Sequence, residues 1–164
     1  MRECFLSFFY VGYAPKAPGT FGSLAAAIPA FFILVFLQKE TLFLLAILLF
    51  LVSLRIIDNY EKEHNKHDAQ FIVIDEVVGV FVATAICGDT VIAFILSLLF
   101  FRIFDITKPS IIGRVDKGLK GGLGVMLDDL LAGLFAGASS HIVMALYLKL
   151  NYWDILLKEL VQKL

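Results

Sequence analysis

Polar and apolar positions in this chain are separated on the scale of whole helices. Residues 21–38 contain no Asp, Glu, Lys or Arg. Eighteen helical residues rise ~27 Å, close to the thickness of a bilayer's hydrocarbon core. Residues 41–54 are equally free of charge, and Ile56 and Ile57 carry the apolar character past Arg55. With only a few residues around Lys39 and Glu40 between them, these runs predict a tight helical hairpin. Pro29 falls inside its first helix, where membrane helices tolerate it. A polar stretch from Asp58 to Gln70 follows, and Asp58 is expected to close the second helix.

The next apolar run, Phe71 to Phe101, is broken by Asp75, Glu76 and the pair Gly88-Asp89. A single span would sink Asp89 into lipid at ~2.5–3.5 kcal/mol and set the flanking polar loops on opposite faces. Two short spans, roughly 72–87 and 90–105, avoid both costs by ending in the interface. Residues 102–124 read as a second polar loop, and 130–148 as a last apolar helix. The end, 151–164, alternates apolar and charged residues at helical spacing and reads as an interfacial tail.

Composition agrees with this pattern. The 164 residues are 60% hydrophobic and 18% charged, against about 45–50% and about 25% in soluble domains. A chain this short cannot hide such a surplus in one core. The expected fold is an all-α, polytopic membrane bundle of about five transmembrane helices, forming a single domain over 1–164. A cytoplasmic N-terminus would put Arg2, Lys16, Arg55, Lys62, Lys66, Arg102, Lys108, Arg114, Lys117 and Lys120 inside. Lys39, Lys149, Lys158 and Lys163 would lie outside, as the positive-inside rule requires. A net charge of −1 gives no reason to expect a nucleic-acid partner. Cys4 and Cys87 lack metal-ligand spacing and read as small buried hydrophobes. The N-terminus does not read as a cleavable signal, since Arg2 and Glu3 cancel and Pro15 and Pro18 follow the apolar stretch.

In this topology the polar clusters meet at one face. Residues 18–23, PGTFGS, open the first helix and Asp75-Glu76 the third. Asp105 and Lys108 close the fourth, and Asp128-Asp129 open the fifth. Acids at helix starts complement the helix dipole, worth ~0.3–1 kcal/mol each. Two adjacent acidic pairs need more than that, because like charges 4 Å apart repel by ~4 kcal/mol at an effective dielectric near 20. Asp75, Glu76, Asp128, Asp129 and Asp105 together invite a hard cation, and Mg²⁺ with oxygen ligands fits best. Gly118, Gly121, Gly122 and Gly124 suit either a flexible turn or a backbone cradle for phosphate. Thr20 and Ser23 read as N-cap residues or phosphate contacts. Lys108 reads as a surface ion-pair partner or a cation for phosphate oxygens, with Pro109 ending its helix. His64 and His67 read as solvated, and His141 as bonded to a neighbouring helix. Gly79/Ala83 and Gly133/Gly137 have the spacing of close-packed membrane helices.

The ordered segments PGTFGS (18–23), HDAQFIVIDEVVG (67–79), FRIFDITKPS (101–110), Asp116 and KGGLGVMLDDLLAG (120–133) resemble the phosphatidylglycerophosphatase A family over residues from about 13 to 137. Ala69, where that family more often has proline, and the short first connector depart from its pattern. The resemblance implies hydrolysis of the terminal phosphomonoester of phosphatidylglycerophosphate, with Mg²⁺, in the inner membrane and facing the cytoplasm. It carries over Asp75, Glu76, Asp105, Lys108, Asp116, Asp128 and Asp129 as functional candidates, with Asp68 and Thr20 as weaker ones. In a mechanism consistent with that chemistry, Glu76, Asp105, Asp128 and Asp129 hold metal and Asp75 or Asp116 orients water, with an aspartyl-phosphate intermediate as the alternative. Lys108, Arg102, Thr20, Gly121 and Gly122 are the candidates for contacting phosphate. Two alternatives stand beside this reading: a phosphatase of phosphatidate or a polyprenyl phosphate, and a small cation transporter using its acids as ion ligands.

Overall fold

A computed structural model describes residues 1–64, 69–109 and 111–162, without the side chains of 116, 117 and 153–162. The described residues form helices and no strand: α1 (Arg2–Leu6), a 3₁₀ turn (Val11–Tyr13), α2 (Pro18–Phe36), α3 (Lys39–His64), α4 (Ile74–Cys87), α5 (Val91–Thr107), α6 (Ile111–Gly118) and α7 (Gly122–Gln162).

The arrangement is organised around α4. Past its first turn its sequence is almost wholly apolar and rich in β-branched residues, which gives weak helix propensity but suits a helix enclosed by others. Val77, Val78, Val80, Phe81, Val82 and Ala83 are all buried, and α4 packs on α2, α3, α5 and α7. The small residues expected to bring helices together do so on its α7 side. A Cβ at Gly133 would overlap the Gly79 backbone, and one at Gly137 would lie 2.9 Å from the Ala83 carbonyl oxygen. The surrounding helices turn apolar side chains outward: Leu24, Ile28, Leu48, Leu51, Ile95 and Leu99 are each more than half exposed. Three helices are long and apolar enough to cross a membrane, within Pro18–Phe36, Lys39–His64 and Gly122–Tyr152. α4 and α5, with 14 and 17 residues, are shorter.

Several boundaries differ from the sequence reading. The break between α4 and α5 falls at Gly88–Thr90, as expected, with Thr90 Oγ1 accepting from the Ala93 N–H at 3.1 Å. α3 does not stop at Asp58 but continues to His64. Tyr60 is buried there, stacked on His64 at 4.2 Å and edge-on to Phe71 at 5.3 Å. The expected loop 102–124 is mostly helical. α5 runs to Thr107 and stops where Lys108 takes a left-handed conformation (φ 41°) before Pro109, since proline disfavours a helical residue ahead of it. α6 then buries Ile112. The last span and the tail are one helix, because no Gly or Pro interrupts residues 138–162. α7 thus begins six residues ahead of Asp128 and extends beyond the bundle: after Ser140, its side chains to Tyr152 are exposed, Met144 excepted. His141 is exposed at that point rather than bonded within the bundle.

Because Gly133 meets backbone and not a movable side chain, Gly133→Val is expected to destabilise the protein by about 1–3 kcal/mol or more. A melting temperature in detergent equal to wild type would contradict the close α4–α7 contact.

Candidate active site

α2, α4 and α7 start at one end of the bundle, where α3 and α5 finish. The opposite end is marked by Lys39–Asp89 at 3.4 Å and by Leu34 packed on Gly88. At the first end lies a cavity of about 400 Å³ whose lining includes Asp75, Glu76, Asp105, Lys108, Asp128 and Asp129. Five predicted acids and the predicted lysine are thus brought together from α4, the end of α5 and the second turn of α7.

The acids are packed tightly. Asp75, Glu76 and Asp129 can each offer an oxygen such that all lie within 4.8 Å of one another. At that separation two carboxylates repel by about 3 kcal/mol at an effective dielectric near 20. Asp128 and Asp129 are only 6% and 4% exposed, so water screens them poorly. Two cations offset part of this charge. Lys108 Nζ lies 2.6 Å from Asp128 Oδ2, and Arg102 Nη1 lies 2.5 Å from Asp105 Oδ2. Among the described residues, Asp75 Oδ1 and Glu76 Oε2 are buried without a hydrogen-bond partner. Surplus negative charge and unpartnered hard oxygens are what a divalent cation with oxygen ligands would satisfy. The donor set therefore fits a metal ion.

The remaining predicted residues fall elsewhere. Thr20 accepts a hydrogen bond from Arg102 Nη2 at 3.0 Å. Gly121 has φ 75°, and the Gly122 N–H donates to Asp58 Oδ1 at 2.6 Å, so that donor is taken within the chain. Asp116 lies on α6, its side chain outside the described residues, as is all of Asp68.

Other contributions were not evident from sequence. Asp58, from α3, caps α7 by accepting from Gly122, and a Cβ at Gly121 would meet the same carboxylate. Gly19 sits directly on Glu76 Oε1, and a Cβ at Gly22 would lie 2.8 Å from Val73 Cβ. The glycines of PGTFGS thus let α2 approach α4 closely. The N-terminal segment supplies a wall: Pro15 and Ala17 line the cavity, Leu6 accepts from the Val73 N–H at 2.9 Å, and Tyr13 stacks on Phe71 at 5.1 Å. Aromatic and proline spacing carried a faint local signal for that wall, but the Asp58 cap joins residues 64 positions apart and left none.

A helical membrane protein with a carboxylate-lined cavity at one end of its bundle is equipped to work on a polar, cation-binding group. The chain belongs to the phosphatidylglycerophosphatase A family, whose sequence model matches residues 4–144. It is 36% identical over 129 residues to phosphatidylglycerophosphatase A of Haemophilus influenzae, covering 78% of this chain and 79% of that protein. It is 30% identical over 136 residues to the Escherichia coli protein of the same name, covering 82% and 78%. A Bacteroides thetaiotaomicron protein provisionally named a phosphatidylinositol-3-phosphatase is 34% identical over 138 residues, covering 78% and 84%. No solved structure matches the chain.

The cap across the cavity's edge gives a stability test. Asp58→Ala should cost about 1 kcal/mol by orphaning the Gly122 N–H, whereas Asp58→Asn keeps an acceptor. Equal melting temperatures for Asp58→Ala and wild type would refute the cap.

Proposed function

We propose that this protein hydrolyses the terminal phosphomonoester of phosphatidylglycerophosphate, giving phosphatidylglycerol and inorganic phosphate in phospholipid biosynthesis. The observation that carries the proposal is the Asp75–Glu76–Asp129 cluster, with ligand oxygens within 4.8 Å, in a chain of this family. Magnesium is the proposed cofactor, held by Glu76, Asp105, Asp128 and Asp129, with Asp75 close enough to share in the site. When bound, the ion would supply positive charge to phosphate oxygens and acidify water.

The chain's own groups do the rest. Lys108 is the one basic residue named for phosphate binding that lines the cavity, so it is the proposed partner of the phosphoryl oxygens as charge builds on them. Asp75, or Asp116 from α6, would orient the attacking water. The buried walls of Asp128 and Asp129 keep bulk solvent away, which strengthens each of these electrostatic contacts.

The proposed setting is the inner membrane, crossed about five times within one domain, with the site at the cytoplasmic face. α2, α3 and α7 have crossing length, and the shorter α4 and α5 would complete the passes with ends in the interface. The basic residues favour this orientation, since most of them fall in segments at the site's end. Carboxylates and Lys108 address a phosphomonoester and not the rest of a head group. Preference for phosphatidylglycerophosphate over phosphatidylinositol 3-phosphate or phosphatidate is therefore measured by a panel of lipid substrates.

Glu76→Gln and Asp129→Asn should each lower phosphate release from phosphatidylglycerophosphate at least about 100-fold, with helicity by circular dichroism unchanged. Wild-type rates in both would refute the proposed site. For orientation, a cysteine at position 116 in a chain lacking Cys4 and Cys87 should react with an impermeant thiol reagent only from the cytoplasmic side. Labelling from outside intact cells would reverse the topology.

A further inference from the structure

We infer that Arg102 is a positioning residue, which fixes Asp105 and the first turn of α2 around the carboxylate cluster and does not bind the substrate's phosphate. The inference rests on the phosphatase reading above and refines it. Arg102 Nη1 donates to Asp105 Oδ2 at 2.5 Å and to Ser23 Oγ at 3.2 Å, and Nη2 donates to Thr20 Oγ1 at 3.0 Å. Ser23 Oγ in turn donates to the Gly19 carbonyl at 2.7 Å, and Gly19 lies on Glu76 Oε1. One guanidinium therefore ties a carboxylate of α5 to the turn of α2 that covers a carboxylate of α4.

The donor count leaves a single hydrogen for any second task. Both Nη1 hydrogens are in use, and Nε is buried with no partner among the described residues, so nothing in the cavity can reach it. A bidentate grip on phosphate needs two parallel N–H bonds, and the single remaining Nη2 hydrogen cannot supply them. Arg102 and Thr20 are also absent from the described residues lining the cavity, whereas Asp105 and Lys108 are among them. The planar fork is essential to the clamp, because an ammonium concentrates its donors at one point. This accounts for Thr20 and Ser23: their hydroxyls are acceptors for Arg102, and Gly19 and Gly22 let the turn come close enough.

The test compares wild type, Arg102→Lys and the double variant Thr20→Val/Ser23→Ala, each purified in detergent. Mn²⁺ binding is measured by electron paramagnetic resonance. The Mg²⁺ needed for half-maximal phosphate release, kcat, KM and inhibition by inorganic phosphate are measured alongside. A clamp predicts Mn²⁺ affinity about tenfold or more weaker in both variants. Mg²⁺ demand should rise in parallel and kcat fall, with KM and phosphate inhibition within about twofold of wild type. The inference is overturned if Arg102→Lys binds Mn²⁺ normally while KM and the phosphate inhibition constant rise about tenfold. It is also overturned if the double variant matches wild type throughout, and that variant decides the matter where Arg102→Lys does not fold. Wild-type protein that releases no phosphate, yet binds Mn²⁺ in an Arg102-dependent way, would sink the substrate assignment and leave the clamp standing.

Discussion

Mutual repulsion among carboxylates is the constraint on which the rest of this structure depends. Asp75, Glu76, Asp105, Asp128 and Asp129 line one cavity, and two of them are almost wholly removed from water. Left to themselves, these groups would drive apart the helices that carry them. The fold opposes this with close contacts between helices: the Gly19 backbone on the Glu76 carboxylate, Gly79 on Gly133 backbone to backbone, and the Asp58 cap that seats α7. Arg102 and Lys108 cancel part of the charge from the α5 side. What remains is a dense set of hard oxygen donors, the ligand type a divalent cation takes.

The bilayer and the site make opposite demands, and α4 reconciles them. Its short, mostly apolar body is enclosed by four other helices, whose own apolar side chains face outward. Its first turn carries Asp75 and Glu76 out of that shield and into the cavity. The outward apolar surface is therefore suited to insertion, while the central helix presents the acids of its first turn.

The parts legible in the sequence were those with a local or periodic signature. Charge-free runs marked α2 and α3, Gly88-Asp89 marked the turn before α5, and adjacent acidic pairs marked the cavity. Small residues four apart marked the α4–α7 contact. Boundaries set by tertiary contacts were not legible. Tyr60 extends α3 because it finds Phe71 across the fold. The start of α7 depends on a carboxylate 64 residues earlier. Arg102 illustrates the same limit: its hydrogen bonds to Thr20 and Ser23, some 80 residues upstream, have no local signature in the sequence.

On this reading the gathered carboxylates work by gripping a divalent cation. Phosphate release from phosphatidylglycerophosphate by purified protein stripped with EDTA tests it most directly. No turnover is expected from the stripped protein, with full recovery on adding Mg²⁺. Undiminished turnover in EDTA would contradict it.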